Sequence, residues 1–392
     1  MARRTFEFID VKDWCRPAES PAHFMQTPKS WLPLLAPCQA RIRPAPGDLG
    51  SLDWLLEMDS SNIAVSIRQE TIDVSGSLVA NLGPAVVKDS SLLVFVRDFL
   101  AIAEGYGDRN WLNFQLNRWP TAHNMFMIQD QAGILPLRII DIDDSALVNI
   151  DEPCLYLSVR ADDRNIYHWL YETLPRLICL DVCPALRDLP LLVRSPLSDL
   201  QKAFLGWMGL SPRFVVTEGR SVRVSNLFFA SLPNPPPLHR ELLDWMRRRI
   251  LPGVPAVPDP RRRRLLISRS DGANGRRLAN EEELDARLQP LGFERLVMSK
   301  LTPEQQIQAF RHAEIVVLPH GGAGSYMTFT PEDCRFIEIY SPDYLNSTLF
   351  SLCKSVGRRY TAVIGWQAGT SNDFGVNCPE IEALVGQMLA PP

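Results

Sequence analysis

The chain has no run of about 18 consecutive apolar residues, so no membrane-spanning helix is predicted. It has no surplus of positive charge. Its 41 Lys and Arg residues face 45 Asp and Glu, a formal net charge of −4. Neither that balance nor the pattern, which lacks basic–aromatic interleaving, suits nucleic acid. There is no CxxC pair among the eight cysteines, Cys15, Cys38, Cys154, Cys179, Cys183, Cys334, Cys353 and Cys378. Most lie in apolar surroundings and read as free, buried thiols rather than disulfides or zinc ligands. P-loop, GxSxG and GxGxxG motifs are missing, as are internal repeats and low-complexity tracts. The first residues, MARRTFEFIDVKDW, carry two arginines but no apolar signal-peptide core, so the expected location is cytoplasmic.

What remains is a 392-residue chain rich enough in apolar residues for two or three domains. Residues 1–110 read as an irregular N-terminal extension, partly β, with an alternating strand or hairpin at 60–76. From there short apolar runs alternate with amphipathic stretches. Strands are expected at 154–159, 189–195, 213–218 and 222–231, with helices from about Tyr167, at 198–209 and at 238–250. Residues 111–250 thus form one Rossmann-like α/β domain. LPGVPAVPDP (251–260) cannot propagate a helix or a central strand and reads as a stiff linker. A second α/β run fills 261–392, with its last helix at 379–389. The fold class expected is α/β, two Rossmann-like domains facing a cleft, whose ligands lie beyond the C-terminal strand ends.

Three segments could carry chemistry. In NIYHWLYETLPRLICL (165–180), His168, Glu172 and Arg176 recur at i, i+4, i+8 on one helix face. A catalytic array and a solvated stripe of charge pairs both fit that spacing. Pro175 is expected to kink or end the helix. In LLISRSDGANGRRLANEEEL (265–284), Arg269 and Arg277 sit in a loop after a strand, and their guanidinium forks suit a diphosphate. Asn280 reads as the cap of the helix that follows. In IVVLPHGGAG (315–324), an apolar strand runs into His320, Gly321, Gly322, Ala323 and Gly324. Glycines there permit a tight strand-to-helix turn whose exposed N–H groups and helix N-terminus favour an anion. Glu338 ends the next strand, RFIEIYS, where an acid can accept two ribose hydroxyls or cap a helix. The acidic pairs of DIDD (141–144) and DDR (162–164) read as turns, and the arginine run 261–264 as a solvated edge.

In this order and separation, the Tyr-His-Trp…Glu…Pro-Arg-Leu, ISR…RR…N-E-E-E-L and LTPEQQIQAFRHAEIVVLPHGGAGSYMTF segments resemble glycosyltransferase family 61, over about residues 150–345. The family usually has His-Gly-Ala-Gly where this chain reads His320-Gly321-Gly322-Ala323-Gly324, one residue more. The resemblance implies a GT-B architecture, with the acceptor on the 111–250 domain and a nucleotide sugar on the 261–392 domain. The last helix of such a fold can return to the N-terminal side. The resemblance further implies inversion at the anomeric carbon, no metal and no cofactor. The implied partners are a nucleotide-sugar donor and a glycan or lipid-linked glycan acceptor, with peripheral membrane contact in the latter case. His168 and Glu172 would act as a coupled base, Arg176 fixing Glu172. Arg269, Arg277 and the His320 turn would neutralise the departing diphosphate. A nucleotide-sugar epimerase and a non-catalytic nucleotide- or glycan-binding subunit are the alternatives.

Overall fold

The computed structural model describes residues 3–5, 7–41, 71–88, 94–97, 100–102, 125–128, 137–141, 147–157, 165–233, 236–257, 261–272, 275–368 and 373–390. Most of 60–76 and the acids Asp143, Asp144, Asp162 and Asp163 lie outside them. The protein is mixed α/β with several sheets, parallel in large part. It divides into two units: Met1–Cys38, Val74–Ser198 and Leu210–Leu242 in the first, and Gln39–Asp73, Asp199–Gly209 and Leu243–Pro392 in the second.

In the first unit the expected strands Cys154–Tyr156, Leu191–Val193 and Phe214–Val216 run parallel beside Leu227–Ala230. The stretch read as a single strand at 222–231 is two. Ser225 and Asn226 break it, and Val222–Val224 joins a different sheet. Residues expected in an N-terminal extension complete the first sheet instead. Ser77–Asn81 pairs antiparallel with Leu227–Ala230, and Ser30–Leu35 pairs with Ser77–Asn81. The core beneath, from Leu78, Ala80, Val94, Tyr156, Leu192 and Phe229, draws on both halves of the unit.

In the second unit every expected strand forms: β1 (Arg263–Ser268), β2 (Phe293–Val297), β3 (Ala313–Pro319), β4 (Arg335–Tyr340) and β5 (Arg359–Ile364). All pair in parallel, in the order β2-β1-β3-β4-β5. Their near-continuous Val, Ile and Leu content suits a sheet covered on both faces. On one face Leu266, Ile315, Val317, Ile337 and Val363 meet Leu284 and Leu288 of helix Glu281–Leu288 and Ile381 and Val385 of helix Cys378–Leu389. The apolar stripe of the last helix therefore packs on this sheet.

The boundary expected at 251–260 is corrected as well. Helix Asp199–Trp207 packs in the second unit, where Phe204 meets Tyr326 and Phe329 at ring-centroid distances of 6.5 and 6.1 Å. Leu251–Gly253 forms a short 3-10 turn, and a Cβ on Gly253 would strike the Trp207 carbonyl, so this stretch packs against that helix. Among the described residues no helix is long and apolar enough to cross a membrane.

Candidate active site

The order β2-β1-β3-β4-β5 reverses direction between β1 and β3. In an open α/β sheet the crevice past the C-terminal ends of those two strands is where ligands bind. Arg269 follows β1 and His320 follows β3. They meet there: Arg269 Nη1 donates to the His320 carbonyl at 3.2 Å, and Nη2 to the Gly275 carbonyl at 3.5 Å. Among the described residues Arg269 Nε, which is buried, has no hydrogen-bond partner. A Cβ on Gly321 would lie 2.0 Å from Arg269 Nη1, so glycine is needed at 321 to admit the guanidinium. Burial, and then the neighbouring Arg276, push Arg269 below the usual guanidinium range. Two cations are thus held together where an anion would relieve them.

The helix expected after the glycines is a 3-10 helix, Gly322–Phe329. Gly324 packs against Leu349, where a Cβ would come within 2.3 Å of Leu349 Cδ1. That close approach holds the segment tight to helix Thr348–Ser355. Its far end is clamped by Arg247, which donates to the Thr328 carbonyl and, at 3.0 Å, to that of Thr330. Arg358 joins at 2.8 Å to the same Thr330 carbonyl. Cations at the C-terminal end complement the helix dipole. The first N–H groups of any such helix lack intrahelical partners, so Gly322 and Ala323 offer donors beside Arg269.

His320 is oriented from behind. Its Nδ1 lies 2.5 Å from Glu338 Oε1, and its ring stacks on Tyr340 at 5.3 Å. Glu338 is fully buried in β4. Its other oxygen accepts from the Tyr360 hydroxyl at 2.5 Å and is 2.9 Å from that of Tyr340. Burial and the Glu338 charge raise Tyr360 well above the ordinary phenol, keeping it a donor. The expectation that Glu338 grips ribose hydroxyls is therefore corrected: both oxygens are spent inside the core, and Glu338 holds His320 instead. With Nδ1 on a carboxylate, Nε2 is the nitrogen left for a ligand.

Arg277 is half-exposed and paired with Asp373, which accepts from its backbone N–H at 2.9 Å and from Nη2 at 3.1 Å. It ties the loop to the strand pair Trp366–Gln367 and Phe374–Gly375, and it is Arg276 that approaches Arg269. Asn280 begins helix Glu281–Leu288 but makes no side-chain cap bond; its amide bridges Val376 in both directions. Sequence reading also missed Tyr340, Tyr360 and Tyr344, the last 5.4 Å from the His320 ring. Their place past or within β4 and β5 was legible, but their pairing was not.

In the first unit, His168 Nδ1 lies 2.8 Å from Glu172 Oε2. Their side chains are only 16 and 12% exposed, and Arg176 is buried, so the segment is not a solvated charge stripe. Arg176 Nε donates to the Glu172 backbone carbonyl at 3.1 Å, Nη1 to that of Ala230, and the guanidinium lies 5.5 Å from the Phe229 ring. It thus anchors the main chain that carries Glu172 to the neighbouring strand. The helix is irregular. One α turn, Ile166–His168, passes into a π turn, Trp169–Thr173, and then into 3-10, Leu174–Ile178. Pro175 has no N–H for the Tyr171 carbonyl, and its ring excludes that carbonyl from an α turn. The chain widens, with Leu174 N–H reaching the Trp169 carbonyl. Single π turns of this kind recur at functional sites.

Among the described residues no group of three His, Cys, Asp or Glu side chains is gathered to hold a metal. The cysteines are free, seven of them buried.

Residues 166–337, which contain both histidine–glutamate pairs' histidines and the whole Arg269 loop, match the Glycosyltransferase 61 family model. No curated protein matches significantly. Among solved structures, the dodecameric iron-containing heptosyltransferase TibC in complex with ADP-D-beta-D-heptose is similar over 81% of this chain and 95% of its own, at 9% identity and TM-score 0.34. TibC from enterotoxigenic E. coli H10407 is similar over 76% and 84%, at 12% identity and TM-score 0.32.

Proposed function

We propose that the protein is an inverting glycosyltransferase that moves a sugar from a nucleotide-sugar donor to a hydroxyl of a glycan or lipid-linked glycan. The observation that carries this is the Arg269 cluster: a buried guanidinium whose Nε has no hydrogen-bond partner among the described residues, crowded by Arg276, beside a glycine turn at the switch point of the parallel sheet. That is the chemistry a diphosphate needs. The family match supports the class of reaction, and a GT-B arrangement is part of the same proposal.

In this reading the donor diphosphate lies against Arg269, the Gly322 and Ala323 N–H groups and His320 Nε2. An acceptor hydroxyl attacks the anomeric carbon opposite the leaving group, through an oxocarbenium-like transition state. His168, set by Glu172, takes the hydroxyl proton. As the glycosidic bond breaks, negative charge grows on the diphosphate, and the cationic pocket stabilises it without reorganising.

The test is a screen of nucleotide sugars with a panel of glycan acceptors, followed by Glu172→Gln. Turnover is expected to fall by about 10²-fold or more with donor KM changed less than about twofold. Unchanged turnover removes Glu172 from the chemistry. Interconversion of nucleotide sugars without an acceptor would instead mark an epimerase.

A further inference from the structure

Among the described residues only two large hydrophobic side chains are exposed, Tyr344 at 44% and Trp366 at 53%. Both follow C-terminal strand ends of the same parallel sheet, Tyr344 after β4 and Trp366 after β5. Tyr344 is fixed: its N–H donates to the Ser341 carbonyl at 3.1 Å, and its ring leans on His320 at 5.4 Å. The Arg276 guanidinium lies over that ring, 4.2 Å from its centroid. Arg276 holds this place at a cost. Its φ is +61°, a region that a non-glycine residue avoids. It also adds a second positive charge beside Arg269.

A guanidinium is flat, delocalised and cationic, and it stacks on an aromatic ring as a flat heteroaromatic ring would. We propose that Tyr344 is the stacking platform for the nucleobase of the donor, and that Arg276 covers it until a diphosphate draws the guanidinium away. Two forces then act in one direction. The anion offsets the repulsion between Arg276 and Arg269, and the departing side chain uncovers a ring face for the base. Tyr344 becomes a specificity-determining contact for the nucleotide, next to but separate from the phosphate pocket. The inference rests on the donor reading given above.

The experiment is calorimetric titration of inorganic pyrophosphate and of ADP, GDP, UDP and CDP into the full chain and into Tyr344→Ala, Tyr344→Phe and Arg276→Ala. Thermal melting of each variant serves as the folding control. For the diphosphate that wild type binds best, Tyr344→Ala should lose about tenfold or more in affinity, while pyrophosphate affinity stays within about twofold. Tyr344→Phe should keep nucleotide affinity within about threefold, because the ring face is retained. Arg276→Ala should weaken nucleotide and pyrophosphate together. Equal losses for nucleotide and pyrophosphate in Tyr344→Ala would overturn the inference and leave the donor reading standing. So would a Tyr344→Ala variant that binds the nucleoside diphosphate within about twofold of wild type. Absence of wild-type binding to every nucleoside diphosphate would overturn both.

Discussion

Glu338 is fully buried, and its side-chain partners are the His320 imidazole and the Tyr340 and Tyr360 hydroxyls. Removing it takes an acceptor from two buried phenols and leaves a cavity between the strands. Glu338→Ala is expected to cost about 3 kcal/mol of stability, read as a lower denaturant midpoint at unchanged slope. Glu338→Gln keeps an acceptor for one neighbour and should cost less. If Glu338→Ala unfolds at the wild-type midpoint, the network does not hold the strands as described. At this scale the sequence was informative about which residues matter and less so about what each does. Arg269 and His320 were legible from chemistry and from their place at strand ends. Glu338 was found for the wrong role, because a strand-end acid can face a ligand or the core, and only the pleat decides. Its neighbours Phe336 and Tyr340 share its side of the strand, and both are buried. Arg276 was passed over for Arg277 because Asp373, which engages Arg277, lies 96 positions away.

The element that most shapes the first unit's candidate base is the broken helix at 166–182. Its winding changes from α to π to 3-10 within a dozen residues, and His168 and Glu172 stand on the turns leading into the break. Pro175 enforces that break. Pro175→Ala restores the N–H and lets the helix regularise, which favours the fold slightly and moves Glu172 relative to His168. The melting temperature is expected to hold or rise while turnover falls by about tenfold or more. A variant that melts earlier and turns over normally would show that the irregularity serves packing alone. The kink was readable from the proline. The π turn was not, because it depends on how the widened chain meets Ala230 and Phe229 through Arg176. In the same way the glycine turn was legible, while the 3-10 winding that follows depends on Leu349 and on the Arg247 and Arg358 clamps.

Across the molecule, the succession of strands and helices in 261–392 was legible because parallel strands buried on both faces are short and apolar, and the helices between them are amphipathic. Spatial order was not. The switch point between β1 and β3 exists only in the folded sheet, and so does the assignment of helix Asp199–Trp207 to the second unit. A linear reading placed that helix with its sequence neighbours. Its fully buried Phe204, packed on Tyr326 and Phe329, decides otherwise. The central claim is that the crevice past β1 and β3 is a diphosphate site built on Arg269. Calorimetric titration of nucleoside diphosphates into wild type and Arg269→Ala tests it most directly. The account predicts saturable binding to wild type and a loss of about 2–3 kcal/mol, roughly 50-fold in affinity, in the variant. Undiminished binding to Arg269→Ala, with the fold intact, would contradict it.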